Sequence, residues 1–376
     1  MKNKRYRQAK KIRMRSITER FLVGGLILVC VCLVGFSLYM VIRSVGMSSL
    51  YQNADETVRQ QLTQNLVEPL TEETAGGTEG QSEDEYVELE EGQLFHEGEI
   101  WQYNEEIMTF LCLGVDARSG ISKEKTIGKG GQADAVMLIV VNPHTKQIEI
   151  INVNRDSMVE VELYDTEGGY AGTKTLQIAL QYAYGDGRIR SCELMEQAVS
   201  DLFYGIPIHG YVALDMESIP TINDMVGGVD VVVQEDMTKY KADWYEGASI
   251  HLNGKDALLY IREREEESAE LGTNLKRIER QKQYLAQFVN KLKEKTKADI
   301  TFPLNLYGKV QKHMVTSFSL DEITYLASSL IGYDFSMENV STIQGEMKMG
   351  EKNEEFYVDD EVLRKKIIET FYEKVE

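Results

Sequence analysis

Two short stretches of this chain end in residue types that can act on a charged substrate. MTFLCLGVDAR, Met108 to Arg118, stays apolar for most of its length and then presents Asp116 and Arg118. NVNRD, Asn152 to Asp156, closes a second apolar run with Arg155 and Asp156. Each has the pattern of a buried strand that shows charge only as it leaves a sheet. In open α/β sheets the crevice at the carboxyl ends of the strands is where ligands bind. Two Asp and two Arg at two such ends point to an anionic ligand, a metal ion, or both. Guanidinium forks grip phosphate oxygens bidentately and keep their charge when partly buried. Asp116 and Asp134 bracket a Gly/Lys-rich loop, GISKEKTIGKGGQ, which is expected to be mobile. Two carboxylates with no His nearby suit a hard cation such as Mg²⁺. Taken singly, either Asp could equally cap a turn.

A second basic group follows in Arg262, Arg264, Arg277 and Arg280. On a long helix expected over 274–296, Ile278, Leu285, Phe288, Val289 and Leu292 share an apolar face. Arg277, Arg280, Gln281 and Tyr284 fall on the neighbouring stripe. A solvated basic face pairing with Glu279 accounts for that stripe as well as a ligand site does. Glu263 and Glu265–Glu267 read as solvated loop. The chain has no Walker A pattern, no GxSxG and no zinc-ligand spacing among its five His and four Cys, so a P-loop, a hydrolase elbow and a zinc centre are unsupported. Cys112 and Cys192 suit either a disulfide or two buried thiols.

These residues need a scaffold and a location. Residues 1–45 hold ten Lys/Arg against one acid, Glu19, while the whole chain of 376 residues carries −20. Between the basic head and the acidic body lies Phe21–Ile42, without a charge. At about 1.5 Å per residue that stretch spans a hydrocarbon core of about 30 Å. The positive-inside rule puts residues 1–20 in the cytoplasm and the rest outside the cell membrane. A cleaved signal peptide fits less well, because the apolar run is too long. Residues 43–106 read as a juxtamembrane helix ended by Pro69, then an acidic linker. With an acidic body and the basic segment next to a membrane span, nucleic-acid binding is not expected.

From about Ile107 to residue 376 the pattern is one α/β domain with a mixed central sheet. Strands are expected at 108–115, 134–141, 148–153, 159–164, 208–214, 227–233 and 338–344. Helices are expected at 174–184, 191–204, from Asp215 to Met225, from Asn253, and at 319–331 and 360–374.

The constellation resembles the LytR-CpsA-Psr (LCP) proteins of Gram-positive cell walls. The matching pieces run in order over about 110–285: FLCLGVDAR, QADAVMLIVVNPHTKQIEIINVNRD, YAYGDG, GIPIHGYVALDM, VGGVDVVV, HLNGKDALLYIRER and RIERQKQYL. The resemblance implies an α/β/α fold whose apolar cleft accepts a polyprenyl chain. It also implies a phosphotransferase that moves a teichoic-acid or capsule-type glycopolymer from a polyprenyl-pyrophosphate carrier to a peptidoglycan hydroxyl, as a phosphodiester. By position, Asp116 and Asp134 resemble the family's carboxylates for Mg²⁺ (or Mn²⁺). Arg118, Arg155, Arg262, Arg264, Arg277, Arg280 and Gln281 resemble its pyrophosphate-facing set, and Asp156 the acid after the strand-end arginine. Asp156 would accept the proton of the attacking hydroxyl or only orient Arg155. The chain departs from the family pattern in three places. Asn154 stands for the usual Pro, Gln132-Ala133 for Arg-Ser, and LQIALQYAYG lacks an expected Asn. A membrane-anchored protein that holds a phosphorylated lipid without turnover, or a lipid pyrophosphate hydrolase, would share most of these features.

Overall fold

The computed structural model describes residues 37, 39–51, 62, 66, 89–117, 120, 121, 123–263, 273–351 and 353–375. The expected span at 21–42 lies outside them except for residues 37 and 39–42. Among the described residues no helix is long and apolar enough to cross a membrane.

The apolar runs assemble into a six-stranded mixed sheet. Its strands are β3 (Met108–Asp116), β4 (Gln132–Asn142), β5 (Gln147–Val153), β8 (Tyr211–Asp215), β11 (Met314–Thr316) and β12 (Val340–Thr342), in the order β11-β8-β3-β4-β5-β12. β3 and β8 are parallel, as are β5 and β12; the remaining neighbours are antiparallel. β3, β5 and β8 therefore end together, at the edge where Asp116, Arg155 and Asp215 emerge.

Alternation along β4 feeds two cores, since successive side chains point to opposite faces. Val136, Leu138 and Val140 join one core; Val141 joins another, with Met137 and Ile139 packed against it. On the first face lie α1 (Ile189–Leu202), α7 (Asp360–Phe371) and a 3-10 segment, Ile178–Tyr184. On the second lie α4 (Thr273–Ala298) and α6 (Leu320–Ser329), with Ala286 and Tyr325 buried there. A third core around Trp244 and Tyr260 joins α2 (Ser218–Val226), the β9–β10 hairpin (Val229–Val232, Ser249–Leu252) and α3 (Gly254–Arg262) to α4. The expected cap of α3 is present: Asn253 Oδ1 accepts the N–H groups of Lys255 and Asp256.

Three expectations are corrected. The stretch 174–184 is not one helix. β7 (Tyr170–Gln177) pairs with β6 (Met158–Tyr164), and the 3-10 segment follows; Thr173 and Thr175, β-branched and on an open surface, favour the strand. The folded part starts before Ile107. β1 (Gln93–His96) and β2 (Glu99–Tyr103) form a sheet with β15 (Tyr372–Lys374), and Leu94 and Tyr103 are buried, so the folded part reaches back at least to Gln93. A helix unmarked by the sequence pattern, α5 (Phe302–Val310), starts at the Pro303 turn. Cys112 and Cys192 are both free thiols, and burial pushes the Cys192 thiol up.

A helix over 39–51 docks on α6. Ser49 Oγ donates to Glu322 Oε1 at 2.7 Å, Arg43 donates to Ser329 Oγ at 3.3 Å, and Leu50 is fully buried beside Tyr325. At Gly46 a Cβ would stand 2.3 Å from the Asp321 carbonyl oxygen, so only glycine allows this approach.

Candidate functional site

The loop that leaves β5 is fixed backbone group by backbone group. Asn154 Oδ1 accepts the N–H of Asp156 at 3.0 Å, an Asx turn, and Asn154 O accepts from Ser157 N. Asn154 thus does by hydrogen bonding what a proline does by its ring. Arg155 O accepts from Ala179 N at 3.1 Å, and Asp156 O accepts from Phe356 N at 2.9 Å. Phe356 belongs to β14 (Glu354–Val358), which pairs with β13 (Gly345–Met349). Residues beyond 300, for which the sequence pattern offered no role, thereby help hold the charged pair.

On this frame the Arg155 guanidinium is gripped from three sides. It pairs with the Asp134 carboxylate, lies 3.5 Å (Nε) from Asp156 Oδ1, and donates to Gln132 Oε1 at 3.2 Å. Gln132 thus meets the guanidinium as a neutral acceptor. Asp134 owes its placement to a bulge. The ladder runs Gly114↔Ala135 and then Val115↔Ala133, so Asp134 is the extra residue. Bulges of this kind re-aim one side chain and recur beside active sites. Asp116, exposed at the end of β3, sits across the ladder from Gln132.

The donor atoms at this edge are all oxygens: the carboxylates of Asp116 and Asp134 and the amide of Gln132. That set fits a hard divalent cation and not a thiophilic one. Among the described residues no three His, Cys, Asp or Glu side chains form a metal cluster. An Mg²⁺ ion here would therefore keep most of its waters or share phosphate oxygens.

The loop between the two Asp is less free than expected. Lys125 N donates to Asp186 O and Gly128 N to Ala183 O, each at 2.7 Å, and Arg188 reaches Ile121 O. Gly130 packs against Gly187 so closely that a Cβ would stand 2.9 Å from its Cα.

The remaining predicted residues divide. Arg118 and Arg264 lie outside the described residues. Arg262 is exposed in the last turn of α3, and Arg277 is half-buried on α4. Arg280 is 4% exposed and is not an open phosphate ligand: it pairs with Glu235 and donates to the carbonyls of Tyr260 and Glu263. Gln281 donates to Ile261 O at 3.0 Å. Arg280 and Gln281 thus cap the C-terminal carbonyls of α3, next to Arg262. The solvated-face reading fails for Arg280 too, because the side chain is buried, and burial pulls its guanidinium down to about 10.

A third strand end was passed over. Asp215, 1% exposed at the end of β8, accepts Ser218 N as a helix-start residue should, but also holds His313 Nδ1 at 3.0 Å. YVALD carried the same apolar-then-acid signal as β3.

An apolar cavity of about 380 Å³ lies on the second face of the sheet. Val212, Leu214 and Met314 form its floor, with Phe288, Val289 and Leu292 of α4 and Leu326 of α6 above. Leu214 and Met314 lie at the same sheet edge as the Arg155 cluster.

Comparison with known proteins gives the chain its family. The LytR_cpsA_psr family model matches residues 72–370. The chain belongs to the LytR_cpsA_psr family. A Bacillus subtilis relative, the polyisoprenyl-teichoic acid–peptidoglycan teichoic acid transferase TagV, is 25% identical over 265 residues, 68% of this chain. That match spans 63% of the TagV relative, a little under two thirds of its length. The Oceanobacillus iheyensis transferase TagU is 24% identical over 325 residues, 86% of this chain and 84% of that one. The crystal structure of B. subtilis TagV superposes with a TM-score of 0.52 at 22% identity, over 71% of this chain and 98% of that one, which shows a shared fold.

Proposed function

We propose that this chain is a membrane-anchored phosphotransferase. It moves a glycopolymer of teichoic-acid or capsule type from a polyprenyl-pyrophosphate carrier to a peptidoglycan hydroxyl, as a phosphodiester. The observation that carries the reading is the Arg155 guanidinium, fixed by Asp134, Asp156 and Gln132, in a domain that also holds an apolar cavity on the second face of its sheet. A pyrophosphate needs the first and a polyprenyl chain the second. The names of the TagV and TagU relatives support the same donor and acceptor classes.

In this reading the polyprenyl chain lies along Val212 and Leu214, and its pyrophosphate meets Arg155 at the sheet edge. Arg155 stabilises the charge that builds on the transferring and leaving phosphates. Arg118, Arg262, Arg264 and Arg277 are the further cations proposed for the pyrophosphate, with Arg280 and Gln281 holding the helix end that carries Arg262. Asp116 and Asp134 would hold Mg²⁺ (or Mn²⁺), which would neutralise phosphate oxygens. Asp156 takes the proton of the attacking hydroxyl, or orients Arg155. Loss of rate at every pH in Asp156→Asn, with donor affinity kept, favours the first role; loss of donor affinity favours the second.

Residues 1–20 are then cytoplasmic, 21–42 span the membrane, and the domain from about residue 89 is extracytoplasmic, behind an acidic linker. Val41 and Val45, one turn apart and exposed on the 39–51 helix, support an apolar surface continuing from that span.

The test is a transfer assay on the full chain in liposomes, with a polyprenyl-pyrophosphate sugar donor, peptidoglycan and Mg²⁺. Label should reach the wall fraction and be lost on chelation, in Asp116→Ala and in Arg155→Ala. Donor that binds but stays intact would leave a lipid-holding protein. Phosphate release without a wall acceptor would leave a hydrolase.

A further inference from the structure

Beside Arg155 the structure has a second cavity, smaller and of opposite character to the apolar one. It encloses about 230 Å³ and is lined by Gln132, Asp156, Gln177, Leu180, Asn353 and Glu354, with Arg155 at its wall. Three amides, two carboxylates and one guanidinium, with Ala179 and Leu180 as the apolar part, suit a hydroxyl-rich ligand that presents both donors and acceptors and one apolar face. Gln177 spends an amide N–H on Glu354 O at 3.1 Å, which keeps its own oxygen as an acceptor and ties β7 to β14.

The cavity also lies on the other side of the sheet. Its walls come from the 3-10 segment and β14, whose Ile178 and Phe356 belong to the core of the first face. The apolar cavity is roofed by α4 and α6, on the second face. Of the two cavities, the polar one is lined by Arg155 and Asp156 themselves, and the apolar one by neither.

Phosphoryl transfer places the attacking and leaving oxygens roughly in line. The attacking hydroxyl must therefore reach the phosphorus from the side away from the leaving phosphate, with a base beside it. From the Arg155 and Asp156 side chains in the wall of this polar cavity we infer that the pocket of Gln177, Asn353 and Glu354 is the acceptor subsite, binding the sugar ring whose hydroxyl attacks. The inference rests on the transferase reading above. In the step, the acceptor oxygen forms a bond to the phosphorus of the polymer-bearing phosphate. The bond from that phosphorus to the bridging oxygen breaks, polyprenyl monophosphate leaves, and the hydroxyl proton passes to the Asp156 carboxylate, which lines the pocket. The hairpin β13–β14 then selects the acceptor through Asn353 and Glu354, at its turn.

The experiment compares wild type with Asn353→Ala and Glu354→Gln, full chain in liposomes, using a soluble muramic-acid disaccharide from peptidoglycan as acceptor. Both side chains lie at the surface end of the hairpin, and Glu354→Gln leaves the carbonyl that Gln177 uses. The KM for the disaccharide should rise about tenfold in each, the worth of one hydrogen bond, while the KM for the donor stays within twofold. An unchanged acceptor KM overturns the assignment, and so does a rise in donor KM instead, which would give the pocket to the donor's own sugar. If wild type transfers nothing, the transferase reading fails separately. Calorimetric titration with the disaccharide then still reads the pocket: binding weakened in both variants supports it, and equal binding or none overturns it.

Discussion

Asp134, the extra residue of the β4 bulge, is the residue on which the Arg155 guanidinium closes. Bulge and ion pair explain one another. An in-register strand would present Asp134 as one more alternating side chain, and Arg155 would meet only Asp156 and Gln132. The extra residue brings a carboxylate to the guanidinium without a helix or loop to carry it.

That relationship makes Arg155→Lys a test of geometry at constant charge. An ammonium is a point donor and cannot serve Asp134, Gln132 and a phosphate at once. The turnover number should fall roughly a hundredfold, the usual cost of losing one preorganised donor to transition-state charge. Thermal midpoint should move little, since Asp134 and Asp156 can both reach water. A lysine variant within threefold of wild type would mean that charge alone suffices.

The strands that carry Asp116 and Arg155 were legible because each is a long apolar run broken by charge. The family motifs put Asp134, Arg155 and Asp156 in one place for the same reason. What stayed hidden depends on contacts between distant segments. Nothing local to Asn353 or Glu354 says that β14 will dock on Asp156 O, nearly 200 residues away in sequence. Arg280 was misread because a helical stripe records which residues share a face, not what packs on it; Glu235 arrives from the β9–β10 region. The segment 174–184 misled because Leu176, Ile178 and Ala179 satisfy a strand and a 3-10 turn as readily as an α-helix.

Arg280 should therefore matter to stability before it matters to substrate. Arg280→Ala leaves Glu235 buried, with Lys276 3.5 Å away, and frees the carbonyls of Tyr260 and Glu263. Breaking a buried pair of this kind costs about 3 kcal/mol. Urea denaturation should show that loss, and Arg280→Lys should recover part of it. If Arg280→Ala kept full stability yet lost donor binding, Arg280 would be a ligand residue after all.

Glu196 on α1 gives the chain a stability term that depends on pH. Burial, with repulsion from Glu193, pushes its carboxyl from the ordinary 4.5 up to about 7. The folded state thus holds the proton more tightly than the unfolded chain does. Its favourable contribution is complete below about 4.5 and is lost as pH rises toward 7. Glu196→Gln removes the group that must ionise in a buried place. The variant should melt higher than wild type at pH 8, and the gap should close as pH falls from about 7 to about 4.5. A constant gap over that range would show that packing, not ionisation, sets the difference.

The docking of the 39–51 helix on α6 ties the proposed lipid cavity to the proposed anchor. Glu322 links the two helices: Oε1 accepts from Ser49 and Oε2 caps α6 at Ser319 N. One turn on, Ile323, Leu326 and Ala327 line the apolar cavity. Gly46→Val cannot be absorbed, because every atom that its side chain would meet first is backbone of Asp321 or Glu322. The valine must push the helix off α6 and loosen one wall of the cavity. A donor with a long polyprenyl chain should then bind several-fold more weakly. A short-chain, water-soluble donor, which needs Arg155 but little of the cavity, should keep its KM. Gly46→Ala, with one methyl in the same place, should show a weaker form of the same split. Equal losses on both donors would mean that the helix supports the Arg155 loop and not the lipid wall. No loss on either would mean that the 39–51 helix is a passenger on α6.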